Sequence, residues 1–181
     1  MMQEIERVLI SEEALQARIQ ELGRELARDY EGKCPVFVGV LKGVILFFAD
    51  MIRATPIRSQ IDLMAVSSYG AGTESTGRIV LKKDVSLDLR GRHVVILEDI
   101  IDSGLTLSFL VEELSRRSPA SLEIATLLRK RGVQKNDLSC AYIGFDCPDE
   151  FIVGCGLDYA ERYRNLPCVG VLKPGVYQKT R

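Results

Sequence analysis

One short segment combines acidic, hydroxyl and glycine residues in a spacing that could bind and process a phosphorylated sugar. This segment, HVVILEDIIDSGLTL, covers residues 93–107. Its apolar start is typical of a strand buried on both faces, and it leads into two adjacent acids, Glu98 and Asp99. Asp102 opens a DSG turn three residues later, ahead of apolar residues at helical spacing. The order of these elements predicts that the polar groups gather at one end of a buried strand.

The chemistry expected of such a segment follows from its parts. Ligands of open α/β sheets bind at the carboxyl ends of strands, and a helix amino terminus holds a phosphate with free N–H groups and a positive dipole end. Gly104 would let the backbone approach a ligand closely, while Ser103 and Thr106 would add hydroxyl donors. The adjacent carboxylates could receive two ribose hydroxyls or hold hydrated magnesium. A plainer alternative stays open, in which Asp102 or Ser103 only caps the helix and the acids solvate a turn.

The elements that must position these groups alternate along the chain. Strands alternating with helices predict right-handed crossovers and a mostly parallel central sheet flanked by helices, so the predicted fold class is α/β. The predicted strands cover residues 35–41, 61–69, 93–98 and 122–128, and the predicted helices run from Ser11 to a stop at Gly32, over 44–54 and over 105–117.

Two stretches depart from this alternation. Residues 69–83 are rich in Gly, Ser and Thr before they turn basic, which predicts a long loop of the kind that often forms a functional lid. The tail after Leu128 contains short aromatic strands and several glycines, so we expect a small subdomain beside the sheet. The whole chain, 1–181, is predicted to be one domain, with this hood contributed largely by residues from about 145 to 181.

Composition excludes several classes of protein. The 24 basic and 25 acidic side chains give a net charge of −1, which disfavours a nucleic-acid partner. A single histidine and five cysteines without a CxxC pair disfavour a zinc site and favour free thiols, so a cytoplasmic location is predicted. No apolar stretch approaches the roughly 18 residues of a membrane span, and no membrane partner is expected.

Residues 93–107 resemble the phosphoribosyl pyrophosphate (PRPP) signature of type I phosphoribosyltransferases. In that signature, apolar residues, two acids and two further apolar residues precede D-[ST]-G-x-T. Three more stretches narrow the resemblance to hypoxanthine-guanine phosphoribosyltransferases of bacterial type: LKG at 41–43, SSYG at 67–70 and FDCPDEFIVGCGLDYAERYR at 145–164. They resemble that family's pyrophosphate turn, the start of its lid and its purine pocket. The resemblance extends over about residues 5–173.

The resemblance implies roles for the PRPP segment. Asp102 would lie near N7 of the purine and act as the general acid and base. Glu98 and Asp99 would face the ribose hydroxyls and a Mg²⁺ ion bound to them, and Asp158 would be a ligand of a second Mg²⁺. The 5′-phosphate would be wrapped mainly by backbone N–H groups of Asp102, Ser103, Gly104, Leu105 and Thr106.

The resemblance also implies sites for pyrophosphate and purine. Lys42 and Gly43 would contact pyrophosphate in a turn where the family can have a cis peptide bond before the lysine, and Arg164 would meet the pyrophosphate oxygens. Lys130 would donate to O6 of the purine, a choice that favours 6-oxopurines over adenine because an ammonium group cannot accept from a 6-amino group. Phe151 would stack on the purine and the carbonyl of Ile152 would accept from it.

The reaction implied is transfer of the 5-phosphoribosyl group from PRPP to N9 of hypoxanthine or guanine, which gives IMP or GMP and pyrophosphate. A lid that includes Ser68 and Tyr69 would close to exclude water. The family forms dimers or tetramers, so a homo-oligomer is expected. The alternatives are a xanthine-preferring enzyme, a regulatory protein that keeps the PRPP fold but binds RNA or DNA, and a nucleotide-binding module whose acids are structural.

Overall fold

A computed structural model describes residues 1–68, 79–133 and 138–178, which form a central sheet, a small sheet and flanking helices. The strands are β1 (Ile5–Ile10), β2 (Val36–Leu41), β3 (Gln60–Ser68), β4 (Ile79–Lys83), β5 (His93–Ile101), β6 (Ser121–Lys130), β7 (Tyr142–Cys147), β8 (Ile152–Val153) and β9 (Val169–Leu172). The helices are α1 (Glu12–Asp29), α2 (Ile45–Ala54), α3 (Leu105–Ser115) and α4 (Pro174–Tyr177).

The central sheet has the strand order β4-β3-β2-β5-β6-β7. Strands β3, β2, β5, β6 and β7 are parallel, and β4 runs antiparallel to β3 at the edge. This is the predicted α/β fold with a mostly parallel sheet. Strand β5, which carries the acids, lies between β2 and β6 in the middle of the sheet, where both of its edges are hydrogen-bonded.

Alternate residues of the central strands face two separate apolar layers. Phe37 and Val95 face α1 and α2, whereas Val38 and Ile96 face α3. Helix α1 starts where predicted, because Oγ of Ser11 accepts a hydrogen bond from the backbone N–H at the first turn (3.3 Å). Burial on both faces explains why β2 and β5 read as nearly continuous apolar runs in the sequence.

The small sheet has the order β1-β9-β8, and all of its pairs are antiparallel. Ile5 of β1 pairs with Leu172 of β9, and Ile152 of β8 pairs with Val171. The small sheet therefore combines an N-terminal strand, which the sequence analysis did not predict, with two strands of the C-terminal part. The single-domain assignment and the extent of the hood stay predictions.

The structure corrects three boundaries. Strand β5 continues past the predicted end at residue 98, because Ile100 and Ile101 pair with β6, and the two acids thus lie within its last part. Residues 79–83, predicted as loop, form edge strand β4, whose lysines are typical of edge strands. Residues 142–147, in the tail expected beside the sheet, form β7 of the central sheet. Among the described residues, no helix is long and apolar enough to cross a membrane.

Candidate active site

The acid pair is buried at the carboxyl end of β5. Asp99 is 8% exposed, and Oε2 of Glu98 is buried without a hydrogen-bond partner among the described residues. Burial, with repulsion from Asp99, raises the pKa of Glu98 well above its usual range, and burial also raises the pKa of Asp99. A buried carboxyl oxygen without a hydrogen bond lowers the stability of the folded protein. Such oxygens are typical of sites that bind a ligand.

The turn after β5 forms a cleft of about 140 Å³ at the start of α3. Gly104 is the residue before the helix and has a φ of +79°, which side-chain-bearing residues rarely adopt, and no side chain caps the helix. The alternative in which Asp102 or Ser103 is the helix cap is therefore wrong. The N–H groups of the first turn of a helix have no partners within it, so they are available to a phosphate.

The predicted phosphate-binding residues mostly meet at this cleft. Leu105 is the exception, because it does not line the cleft, and any contribution from it would come through its backbone. The lining residues are Glu98, Asp99, Ile100, Ile101, Asp102, Ser103, Gly104, Thr106 and Leu107.

The predicted pyrophosphate turn packs directly against the acid pair. The peptide bond between Leu41 and Lys42 is cis, as the family resemblance implied. A Cβ atom on Gly43 would lie 1.8 Å from Oδ2 of Asp99, and one on Gly156 would lie 1.9 Å from the carbonyl oxygen of Gly43. Only glycine fits at positions 43 and 156, because the turn at Gly43 lies in close contact with both Asp99 and the backbone at Gly156.

A network of ion pairs lies beside this turn. Arg164 contacts Asp158 (2.8 Å) and Glu161 (3.1 Å), and Lys42 contacts the other oxygen of Glu161 (3.1 Å). Hydrogen bonds from Lys42 and Arg164 lower the pKa of Glu161. Glu161 was missed in the sequence analysis, since the only signal for it is the three-residue spacing from Asp158 to Glu161 to Arg164.

A second cleft, of about 160 Å³, contains the predicted purine-binding residues. Lys130, Phe151 and Ile152 all line it, together with Asp102 and Ile100. Asp102 and Ile100 also line the first cleft, at the start of α3, so the two clefts adjoin at these residues. Ile100 was not predicted as a purine contact, because inside the signature it reads as an ordinary core residue.

Lys130 is placed as a cationic donor in this second cleft. Its Nζ lies 3.3 Å from Oδ2 of Asp102 and 3.0 Å from Oδ1 of Asp149, and its side chain is 12% exposed. Burial opposes the charge, but the hydrogen bond to Asp149 and the negative charge of Asp102 together outweigh burial and raise the pKa of Lys130. The group therefore remains an ammonium at neutral pH.

The remaining predicted residues are less informative. Ser68 ends β3, and Tyr69 lies outside the described residues. His93 lies at the opposite end of β5 and contacts Ser121 (2.8 Å), which fits a structural role. Cys155 is buried, and burial raises the pKa of its thiol to about 12, so it is not a thiolate nucleophile.

The donor set suits a magnesium ion only together with a substrate. Carboxylate oxygens are the ligands that Mg²⁺ prefers, and Glu98 offers an oxygen without a partner. In the part of the chain that is described, however, no three acids, cysteines or histidines converge on one point, and Asp158 already pairs with Arg164. A divalent ion here would take most of its ligands from substrate oxygens and water.

Comparison with known proteins agrees with this geometry. The phosphoribosyl transferase domain family matches residues 9–160. The hypoxanthine-guanine phosphoribosyltransferase of Bacillus subtilis (strain 168) is 51% identical over 178 residues, which are 98% of this chain and 99% of that protein. The Mycobacterium tuberculosis (strain ATCC 25618 / H37Rv) protein of the same name is 48% identical over 97% of this chain and 90% of its own.

A solved structure is similar over nearly the whole fold. The crystal structure of a hypoxanthine phosphoribosyltransferase from Staphylococcus aureus superposes with a TM-score of 0.93 at 46% identity, covering 97% of this chain and 96% of that one. The family resemblance inferred from residues 93–107 and the three further motifs is confirmed. The chain belongs to the phosphoribosyltransferase family and, within it, to the hypoxanthine-guanine phosphoribosyltransferases.

Proposed function

We propose that the protein transfers the 5-phosphoribosyl group from PRPP to N9 of hypoxanthine or guanine, as a purine salvage enzyme. The bond from C1′ to the pyrophosphate oxygen breaks and the bond from C1′ to N9 forms. The purine gives up one ring proton, and the products are IMP or GMP and pyrophosphate. The observation that carries this proposal is the junction of the two clefts at Asp102 and Ile100, because the reaction needs a phosphoribosyl site that adjoins a base site.

Asp102 is the residue that serves both clefts. Its carboxylate is 3.3 Å from Lys130 on the purine side and opens the turn on the phosphate side. We propose that it accepts the proton released from the purine ring as N9 attacks C1′. Lys130 remains beside it as an ammonium and donates to the 6-oxo group, so the base is oriented and deprotonated by neighbouring side chains.

The phosphoribosyl group is proposed to lie along the end of β5. The turn at residues 102–106 binds the 5′-phosphate through backbone N–H groups and the hydroxyls of Ser103 and Thr106. Glu98 and Asp99 face the ribose, where positive charge develops as pyrophosphate departs, as in glycoside transfer. The carboxyl oxygens of this pair accept hydrogen bonds from the ribose hydroxyls and so hold the ring in place while that charge develops.

Purine recognition is proposed to combine stacking with two polar contacts. Phe151 is 37% exposed and lines the cleft, so its ring is accessible to a flat base. The carbonyl of Ile152 accepts from the purine ring or from the 2-amino group of guanine. Lys130 discriminates against adenine because it has no acceptor.

Pyrophosphate is proposed to bind where Lys42, Gly43 and Arg164 meet. Both cations are paired with Glu161, which pyrophosphate oxygens would replace as a partner. The lid that includes Ser68 and Tyr69 is proposed to close over this side and exclude water, which would otherwise hydrolyse PRPP.

The family generally uses a divalent metal, and we propose Mg²⁺. Glu98 and Asp99 would hold one ion beside the ribose hydroxyls, and Asp158 would be a ligand of a second ion. When bound, Mg²⁺ neutralises charge on the pyrophosphate and makes it a better leaving group.

Assembly and location are also proposals. A homodimer or homotetramer is proposed only because members of the family form dimers or tetramers. Light scattering of the purified chain would measure the oligomeric state. A cytoplasmic location is supported by five free cysteines, since exposed and buried thiols persist in a reducing compartment.

The test is pyrophosphate release from PRPP and Mg²⁺ with hypoxanthine, guanine, xanthine and adenine in parallel. We expect turnover with the first two bases and none with adenine. Rapid xanthine turnover would keep the mechanism and change the specificity, whereas no turnover with any base would refute the proposal. Neither a xanthine-preferring enzyme nor a nucleic-acid-binding regulator is supported by the relatives found.

A further inference from the structure

The ring of Phe151 has an unexpected neighbour in the last helix of the chain. Tyr177 of α4 stacks on it with ring centroids 4.8 Å apart and planes 19° from parallel. Tyr159 meets the same ring edge-on, with centroids 5.5 Å apart and planes at 88°. Phe151 is thus held by one tyrosine against a face and another against an edge.

Phe151 lies between two clefts. The purine cleft and a neighbouring outer cleft of about 360 Å³ share Lys130, Glu150 and Phe151. Tyr177 and Pro174 line the outer cleft, and neither is among the described residues that line the purine cleft. Tyr177 therefore meets the ring from the outer cleft, while the same ring also lines the purine cleft, where the base is expected to stack.

Contacts of the neighbouring chain segment hold Tyr177 in place. The N–H of Leu172 donates to the carbonyl of Phe151 (2.8 Å), and the N–H of Lys173 donates to the carbonyl of Glu4 (3.0 Å). Pro174 then starts α4, and Tyr177 packs against the apolar cluster of the small sheet. These contacts hold α4 beside Phe151.

We infer that Tyr177 is a positioning residue for purine binding, which rests on the proposed function above. Tyr177 holds the Phe151 ring in the plane that a 6-oxopurine stacks on, so that base, phenylalanine and tyrosine form a continuous stack. Phe151 is 37% exposed, and without Tyr177 its ring would have rotamer freedom that the base must remove on binding. The loss of Tyr177 should therefore weaken binding of the base. It should not weaken binding of the ribose and phosphate, which are proposed to lie at the other cleft.

The experiment compares Tyr177→Ala with two matched variants in the full-length protein. Tyr177→Phe keeps the stacked ring, and Val176→Ala shortens a neighbouring side chain of α4 that packs on the same apolar cluster but has no ring to stack on Phe151. In Tyr177→Ala the KM for guanine and hypoxanthine should rise about three- to tenfold, the range of one aromatic pair. The KM for PRPP and kcat should stay within about twofold of wild type, and both control variants should behave as wild type.

A binding measurement separates positioning from loss of structure. Calorimetric titration with GMP reports base and phosphate together, whereas ribose 5-phosphate reports the phosphate cleft alone. Tyr177→Ala should weaken GMP binding by a similar factor and leave ribose 5-phosphate unchanged. An unchanged purine KM, an equal loss for ribose 5-phosphate, or an equal defect in Val176→Ala would overturn the inference. If the wild-type protein shows no turnover, the proposed function fails, and the two titrations still decide the role of Tyr177.

Discussion

The two walls of the site are built on different principles. The wall proposed to bind the phosphoribosyl group, residues 98–106, is one continuous segment at the end of a central strand that is paired on both sides. The wall proposed to bind purine and pyrophosphate, residues 151–164, includes the two-residue strand β8 and left-handed backbone at Ala160, Glu161 and Tyr163. Ion pairs and ring contacts with distant parts of the chain hold it in place.

The two walls differ in the function proposed for them: catalysis on the first and recognition on the second. The group proposed to move a proton and the buried acids lie on the strand that the whole sheet holds, where small displacements are resisted. Three of the residues proposed to recognise base and pyrophosphate, Phe151, Ile152 and Arg164, lie on a wall that depends on side-chain contacts. Substitutions on the first wall should therefore change catalysis or folding, and substitutions on the second should change recognition.

The largest effect is expected on the first wall, from Asp102→Asn. The amide cannot accept the purine proton, so kcat should fall by about 10²- to 10⁴-fold while the KM for PRPP changes little. Asp149→Asn is the matched control, because Asp149 also pairs with Lys130 but lies outside the phosphate turn. Unchanged kcat in Asp102→Asn would remove Asp102 from the chemistry.

The contact between the two walls is tested by Gly43→Ala. The new Cβ would meet Oδ2 of Asp99 at 1.8 Å, so either the acid or the turn must move. We expect kcat/KM for PRPP to fall roughly 10²-fold and the free energy of unfolding to fall by about 1–3 kcal/mol. Gly175→Ala is the control, since a Cβ there meets nothing within 4 Å. Wild-type kinetics in Gly43→Ala would show that the acid need not be held by this contact.

Lys130 ends β6 and lines the purine cleft beside the second wall, so Lys130→Met should change base recognition. Loss of a charged donor to the 6-oxo group should lower kcat/KM for hypoxanthine roughly 10- to 100-fold, while the KM for PRPP stays near wild type. Arg131→Met controls for loss of a neighbouring charge, because Arg131 is 73% exposed and pairs with Asp146. Steady-state kinetics with hypoxanthine and PRPP each varied in turn measure the two effects separately. An equal fall in kcat/KM for both substrates would contradict the assignment.

The smallest effect concerns stability, in Glu98→Gln. The pKa of Glu98 is raised by folding, so the folded state holds its proton more tightly than the unfolded state. Stability therefore falls as pH rises above about 4.3, the usual pKa of Glu, and continues to fall until the folded-state pKa is passed. The neutral amide lacks this penalty, so urea unfolding at pH 8 should show a gain of roughly 0.5–2 kcal/mol that shrinks at pH 5.

An exposed acid provides the comparison for that measurement. Glu112→Gln removes a carboxylate of α3 that is 66% exposed and paired with Arg116, and its effect should be small at both pH values. If Glu98→Gln destabilises the protein equally at pH 5 and pH 8, the buried pair does not cost stability in its charged form.

The sequence was most informative where function and local structure share one segment. The pattern of residues 93–107 predicted a buried strand that leads into two acids and a turn, and the structure places the acids and the turn at one cleft; phosphate binding there stays a prediction. The end of β5 was missed because pairing of Ile100 and Ile101 with β6 is a long-range contact. Strand β4 was missed because its lysines suggest a solvated loop until β3 is present to pair with it.

Other parts of the site could not be predicted from local patterns. Ile100 reads as a core residue, Glu161 as a surface acid and Tyr177 as part of a C-terminal tail, yet each contacts a predicted site residue or lines its cleft. Strand β1 was not predicted, since six residues near a terminus become a strand only when β9 supplies a partner.

The sequence by itself determined the fold class, the family and the order of strand, acids, turn and helix start in residues 93–107. These depend on apolar periodicity and on residues adjacent in the chain, whose geometry a strand, a turn and a helix start prescribe locally. Only the tertiary structure decided that Gly43 lies against Asp99, that Glu161 bridges Lys42 and Arg164, and that Tyr177 stacks on Phe151. Those contacts join residues far apart in the chain, and they form only when packing of the sheets and helices brings their backbones together.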